Sequence, residues 1–437
     1  MPVSRKRKKK SGKSFRSTGS ARIDQGTYGL DPGGPDHRDF AAVLGEFAAN
    51  REQDDRQRAA WAASRATGLV TDLVRVVADQ PDVVVEDALC VRLGALLDEA
   101  AGLPVDEVVG PRHLAEAVVK AAAVAVEETI GDRWSAPWRV LTAVAGVLPN
   151  PHGEAAVAEI NRLRRTVGRR VLPAAPPGPK ITGPVLWTRD RYGSRFGVVA
   201  PVTAGDQPQR WYLWDLDACG HAVFVVHSGF HHTSEAALAE WQAGVGGIAA
   251  AGTVLAPVDD PWLLAELMPN DRDMFGSAEV SGALSAEFFR TKRLAQAVTR
   301  AVRHRGRPPG GGLDAATAAA EFAAWLRATG RGGLPADLDE LARELAESWC
   351  LHDIEALFTA CSPHRVALFV PHVRGYYFDD VAEQLVALLP DWTRWLSERN
   401  ATPPELADRC LPYAEGQPHP QLTPDDTGPD YDARVVE

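Results

Sequence analysis

Residues 185–250 read VLWTRDRYGSRFGVVAPVTAGDQPQRWYLWDLDACGHAVFVVHSGFHHTSEAALAEWQAGVGGIAA and differ in pattern from the Ala-rich sequence on both sides. Val, Tyr, Trp and Phe are concentrated in short runs, and the segment holds four of the chain's twelve tryptophans (Trp187, Trp211, Trp214, Trp241). Arg195–Val202, Gln209–Asp217 and His221–Ser228 therefore read as strands, with turns at Gly205-Asp206 and Cys219-Gly220. In the second strand Tyr212, Trp214 and Leu216 share one face; Trp211, Leu213, Asp215 and Asp217 share the other. Thr233 or Ser234 caps a following helix whose Leu238, Trp241 and Val245 are placed to cover the sheet. This β-β-β-α unit is where a specific site is expected.

The flanks are helical. Phe40, Val43, Leu44 and Phe47 fall at i, i+3, i+4 and i+7, and Leu69–Val77 and Leu89–Leu97 carry similar stripes. Leu114, Val118, Ala122 and Ala125 mark a helix apolar around most of its circumference, the expected centre of the bundle, ending beside Gly131. A last helix carries Val157, Ile160, Leu163 and Val167, with Arg162, Arg165 and Arg169 along one face. Those arginines complement the helix dipole or form a phosphate-contacting stripe. Past the central unit, helices are predicted near 261–267 and 284–303. Others carry Phe322 to Leu326 and Leu338 to Trp349, and one starts at an Ser362-Pro363 cap. Pro371 predicts a break and Pro390 a kink or restart.

The fold class is thus α+β, mostly α: an N-terminal helical bundle, a small central β-β-β-α domain and a C-terminal helical domain. The expected divisions are a disordered basic tail (1–35), a helical domain (36–172) and a Pro-rich linker (173–184). A small α+β domain (185–303), a linker (304–312), a helical domain (313–415) and an acidic disordered tail (416–437) complete the chain. No internal repeat supports a solenoid.

Net charge is -11, but it is unevenly spread. Residues 1–35 carry nine Lys or Arg against two Asp, and residues 416–437 five acids against one Arg, so residues 36–415 sum to -14. Such a body repels nucleic-acid phosphates, leaving polyanion contact to the tail, notably Lys6, Lys8 and Lys9, or to a local patch. The five scattered cysteines read as reduced thiols. With no secretory h-region and no membrane-length apolar run, a cytoplasmic protein that makes no membrane contact is expected. The Ala-, Gly- and Arg-rich usage suggests an actinobacterial genome.

Several residue groups invite chemistry. His221 and His227 lie about 20 Å apart on an extended strand and cannot share an ion, whereas His227, His231 and His232 can converge beyond its end. Cys350, His352, Cys361 and His364 supply four candidate zinc ligands at an unfamiliar spacing. Cys219 with His221 offers a thiol beside an imidazole, and Ser228 lacks the glycines of a nucleophile elbow. Gly310-Gly311-Gly312 lacks the Lys-Ser/Thr of a phosphate loop, and Asp259, Asp260, Asp271 and Asp273 lack the EF-hand pattern. Arg189, Arg191, Arg195 and Arg210 with Tyr212 and Trp214 are candidates for a stacking platform for nucleic acid or a partner; the aromatics equally suit the core of a small domain.

Arg210-Trp211-Tyr212-Leu213-Trp214 resembles the signature strand of WYL domains, which implies a small ligand-sensing or nucleic-acid-binding barrel. The next strand reads Ala222-Val223-Phe224-Val225-Val226, where that family carries arginines. The three strands followed by Phe230, Thr233, Glu235 and Ala236 are similar to arm-type DNA-binding domains of integrases, which implies a sheet that enters the major groove. Residues 362–400 resemble a helical module of uncharacterised actinobacterial proteins. The leading expectation is a non-catalytic binding or regulatory protein without a cofactor, contacting nucleic acid or a protein partner through sheet and tail, with the basic tail suited to nucleic acid or an acidic protein. The alternatives are an enzyme or metal-dependent protein using its Cys and His residues, and a structural scaffold.

Overall fold

The computed structural model describes residues 36–76, 80–103, 109–129, 134–166, 172–175, 177–204, 208–220, 222–269, 282–302, 313–330, 333–350 and 354–419. The expectations for the two tails, including Lys6, Lys8 and Lys9, lie largely or wholly outside these residues. So do those for His221, Gly131, Val167, Arg169, Asp271, Asp273, Gly310 to Gly312 and His352.

Among the described residues the chain is α+β and mostly α, as its periodicities predict. Five helices come first: α1 (Asp36–Val76), α2 (Asp82–Ala101), α3 (Pro111–Glu127), α4 (Ser135–Val147) and α5 (His152–Thr166). Helix α3 packs against α1, α4 and α5, and its Leu114, Val118 and Ala122 are fully buried, which makes it the centre of the bundle. None of the described helices is long and apolar enough to cross a membrane.

The sheet follows: β1 (Lys180–Ile181), β2 (Leu186–Arg189), β3 (Arg195–Thr203), β4 (Arg210–Asp217) and β5 (Phe224–His231), with α6 (Ser234–Val245) and β6 (Ala256–Pro257) after it. The order is β5-β4-β3-β2-β6, all antiparallel, with β1 also pairing with β3. Thr233 caps α6 by accepting the Ala236 N–H at 3.1 Å. Trp241 of that helix lies over Gly197, where a Cβ would sit 2.9 Å from the Trp241 Cγ, so the bare backbone of β3 makes room for the indole.

Helices α7 (Pro261–Leu267) and α8 (Gly282–Ala301) complete this half of the chain. Helix α8 covers the face opposite α6 and at the same time seats on α2. The alternation in β4 sorts accordingly. Tyr212, Trp214 and Leu216 join the core made with the N-terminal helices and α8, while Leu213 joins Val199, Trp241 and Val245 under α6. One continuous core therefore runs from Ala62 of α1 through the sheet to Val298 of α8.

Thr291 fixes α8 to the sheet. Its hydroxyl pairs with Tyr212 Oη at 2.8 Å and Ser228 Oγ at 2.7 Å, and its carbonyl accepts from the Trp214 indole at 3.2 Å. Every polar atom carried inward on these aromatics finds a partner, as burial requires.

A second core joins α9 (Ala315–Ala328), α10 (Leu338–Trp349), α11 (Pro363–Tyr376), α12 (Asp379–Arg399) and α13 (Pro404–Ala414) around Phe322, Trp349, Phe369, Trp392 and Trp395. The break predicted at Pro371 does not occur: α11 runs on to Tyr376, and α12 is likewise assigned as one helix through Pro390. Packing of Val366, Phe369, Val370 and Val373 into this core outweighs the lost backbone bond.

Candidate metal centre

The two cores meet where the β2–β3 and β4–β5 turns face the start of α11. In the first turn Asp190 Oδ1 accepts the Ser194 and Arg195 N–H groups at 2.7 and 2.9 Å, and Gly193 takes a positive φ of 77° that a Cβ would disfavour. That shape carries Tyr192 outward to the C-terminal core, where its carbonyl accepts the Cys361 N–H at 3.2 Å. In the second turn Asp217 Oδ1 accepts the Cys219 N–H at 2.7 Å, folding the chain back so that the Cys219 thiol meets Ser362 Oγ at 3.2 Å.

Ser362 is the N-cap that its pairing with Pro363 predicts; its Oγ accepts the Arg365 N–H at 3.2 Å. This cap sets His364 on the first turn of α11, with Nδ1 3.9 Å from Asp217 Oδ2. Asp217, Cys219 and His364 each offer one ligating atom, and these atoms lie within 4.8 Å of one another. All three residues are buried, at 3%, 3% and 8% exposure.

Burial sets the electrostatics. It pushes the Asp217 carboxyl up to about 6, with the Arg195 guanidinium pulling the other way. It raises the Cys219 thiol well above its ordinary value, and the Asp217 charge adds to that rise. It holds His364 well below the usual imidazole range, with His419 and Arg195 acting in the same sense. The imidazole is therefore neutral, the form that ligates metals. His419 lies near it, with ring centroids 5.4 Å apart and the planes tilted by 58°.

A tetrahedral zinc ion held by nitrogen, sulfur and oxygen at about 2.0–2.3 Å sets its ligand atoms about 3.5 Å apart. The Asp217–His364 separation is already near that figure, and the outermost pair needs a contraction of roughly 1 Å.

Sequence reasoning groups the ligands differently. Cys350, Cys361 and His364 do not converge on one point, and neither do His227, His231 and His232. Cys361 sits instead beside Cys410, whose Sγ lies 3.6 Å from the Cys361 carbonyl oxygen. Asp217 is missed because it reads as one more polar residue on a strand face. Cys219 is noticed only beside His221, and no periodicity links it to His364.

The stacking platform is not what the structure presents. Tyr212 and Trp214 are fully buried because both faces of the sheet are covered, one by α8 and one by α6. The arginines are dispersed, and two of the four are paired with acids. Arg195 is buried on Asp215, and Arg191 pairs with Glu405 at 3.0 Å. Arg189 donates to the Gly193 carbonyl at 2.9 Å, and Arg210 lies 3.7 Å from the centre of the Phe230 ring.

The chain matches no protein-family model, no curated protein and no solved structure.

Proposed function

We propose that this chain is a non-catalytic binding protein whose central sheet and C-terminal helices are fastened together by a zinc-type divalent ion on Asp217, Cys219 and His364. The observation that carries the reading is the convergence of three chemically different ligating groups, drawn from β4, the β4–β5 turn and α11, on one buried point. Their mix of carboxylate, thiolate and imidazole suits zinc better than magnesium or calcium, which prefer all-oxygen shells.

The burial argues for a fastening role over catalysis. Catalytic zinc sites pair three protein ligands with a position open to substrate, whereas structural sites are closed by a fourth ligand; Ser362 Oγ, 3.2 Å from Cys219 Sγ, is within reach of that position. Here the surrounding side chains include Ser194, Arg195, Ser362, Arg365 and His419, each buried. Contact with nucleic acid or an acidic protein through the basic tail belongs to the same reading and rests on the charge of residues 1–35.

Elemental analysis of the full chain purified without added metal or chelator tests the site. One zinc per chain is expected, falling to none in a Cys219→Ser/His364→Ala variant that keeps its circular dichroism spectrum. Metal-free parent protein that takes up no zinc on titration with a colorimetric competitor sinks the proposal.

A further inference from the structure

Beyond the metal centre, the last turns of α8 face the segment leading into β1 across a cleft of about 520 Å³. Lys180, Arg293 and Arg300 line it together with Gly178 and Ala297, and among the described residues no carboxylate does. In a body where residues 36–415 carry a net charge of -14, three cations lining one cleft, with Glu154 the acid that acts on Arg293 from behind Asn150, call for an explanation.

Arg293 is the best-held of the three. It is 7% exposed, and its Nη1 donates to Asn150 Oδ1 at 2.6 Å. Asn150 is fixed in turn: its Nδ2 donates to Glu154 at 2.6 Å, which leaves its oxygen turned toward the arginine. Its backbone N–H donates to Gln296 Oε1 at 2.9 Å, and Gln296 Nε2 returns a bond to its carbonyl at 3.2 Å. Among the described residues the buried Nε of Arg293 has no hydrogen-bond partner. A Cβ on Gly178 would lie 3.0 Å from Arg293 Nη2, so the backbone there backs the guanidinium closely.

Arg300 donates its Nε to the Gln296 carbonyl at 3.0 Å, and Lys180 stands opposite on β1. The plainest account is that these cations serve the negative end of the α8 dipole. That suits Arg300, but the effect fades beyond the last turn and does not extend to Arg293 two turns earlier or to Lys180 on another element. A group with several acceptor oxygens and a double negative charge matches what the cleft offers.

We propose that this cleft is an oxyanion site that takes the phosphate group of a small molecule, with Arg293 as the fixed fork and Lys180 and Arg300 closing over it. Calorimetric titration of the full chain with inorganic phosphate tests it, alongside a nucleoside monophosphate. The expected result is saturable one-to-one binding that weakens about tenfold or more in a Lys180→Ala/Arg300→Ala variant, whose two changes lie on exposed side chains. An Arg293→Lys variant, checked for an unchanged melting temperature, should also bind more weakly because a point charge replaces the fork. Tighter binding of the monophosphate identifies an organic phosphate as the ligand, and equal binding identifies the free ion; both support the site. Absence of saturable binding by either probe, or affinity unchanged in the double variant, overturns it. Oligonucleotide binding lost in the double variant, with nothing seen for the monophosphate, overturns it in favour of a polyanion surface. Repeating the titration after chelation separates its failure from failure of the metal reading.

Discussion

Arg195 grips Asp215 with both arms of its guanidinium, Nε to Oδ1 at 2.8 Å and Nη2 to Oδ2 at 2.7 Å, underneath Gly244 of α6. Burial opposes the charge on Arg195, yet the carboxylate beside it raises the guanidinium above its ordinary value. Removing one member leaves the other charged and out of water. Asp215→Ala should therefore cost about 3–5 kcal/mol in urea unfolding, while Arg195→Met/Asp215→Leu should cost much less. A single variant that unfolds like the parent would show that water reaches the pair.

Gly94 of α2 has no side chain because the backbone of Ala286 in α8 lies where a Cβ would go. Gly94→Ala, normally a gain in a helix interior, should here cost about 1–3 kcal/mol through overpacking. Gly68, with nothing near its missing Cβ, is the control: Gly68→Ala should be neutral or stabilising. Thermal melts of the two variants decide whether α2 and α8 touch backbone to backbone.

Tyr212 Oη bonds both Glu287 at 2.8 Å and Thr291 at 2.8 Å. Tyr212→Phe keeps the ring in the core and removes one bond each from Glu287, which keeps Arg290, and from Thr291, which keeps Ser228, so a loss of about 1–2 kcal/mol is expected. An exposed stacking residue would tolerate the same change without measurable loss of stability, which makes denaturant titration a direct test of which side of the sheet's cover Tyr212 occupies.

Metal-free protein should show an unusual dependence on pH. The folded-state value of the Asp217 carboxyl, about 6, stands above the ordinary 3.8. Its contribution is thus fully present below pH 3.8 and lost as pH rises through 6, a penalty on the order of 3 kcal/mol by pH 7.5. His364, depressed by burial, acts in the opposite sense, its contribution being lost as pH falls from 6.5. It is present in parent and Asp217→Asn protein alike, and cancels in their difference except for the part that runs through the 3.9 Å contact between the two side chains. Between pH 5 and 7.5 the metal-free parent should lose stability relative to that variant. Added zinc should reverse the trend in the parent alone, since ligation releases protons. Parallel melting curves for the two proteins at all pH values would contradict the burial of this carboxyl.

The elements were legible because their signals are local. Thr233 and Ser362 announce their helices within four residues, and the period-two pattern of β4 separates Tyr212 and Trp214 from Leu213 as the structure does. What β4 cannot tell from its own residues is that α8 returns to cover the side which sequence alone leaves open to solvent. The role of Arg195 is hidden for the same reason: its partner Asp215 is set by the antiparallel register, in which Arg195 faces Asp217 and Gly197 faces Asp215. Pro371 was misread because helix propensity is local and the packing that overrides it is not. The metal candidates fall between these cases, since Cys219 and His364 each drew notice in the wrong company.

The seating of α8 on α2 also bears on how the chain is made. A growing polypeptide has completed α2 by residue 101, but the helix that seats on Cys90 and Gly94 arrives only at residues 282–301. Throughout synthesis of the intervening sequence that apolar flank must wait, exposed to water or to a chaperone, on the ribosome.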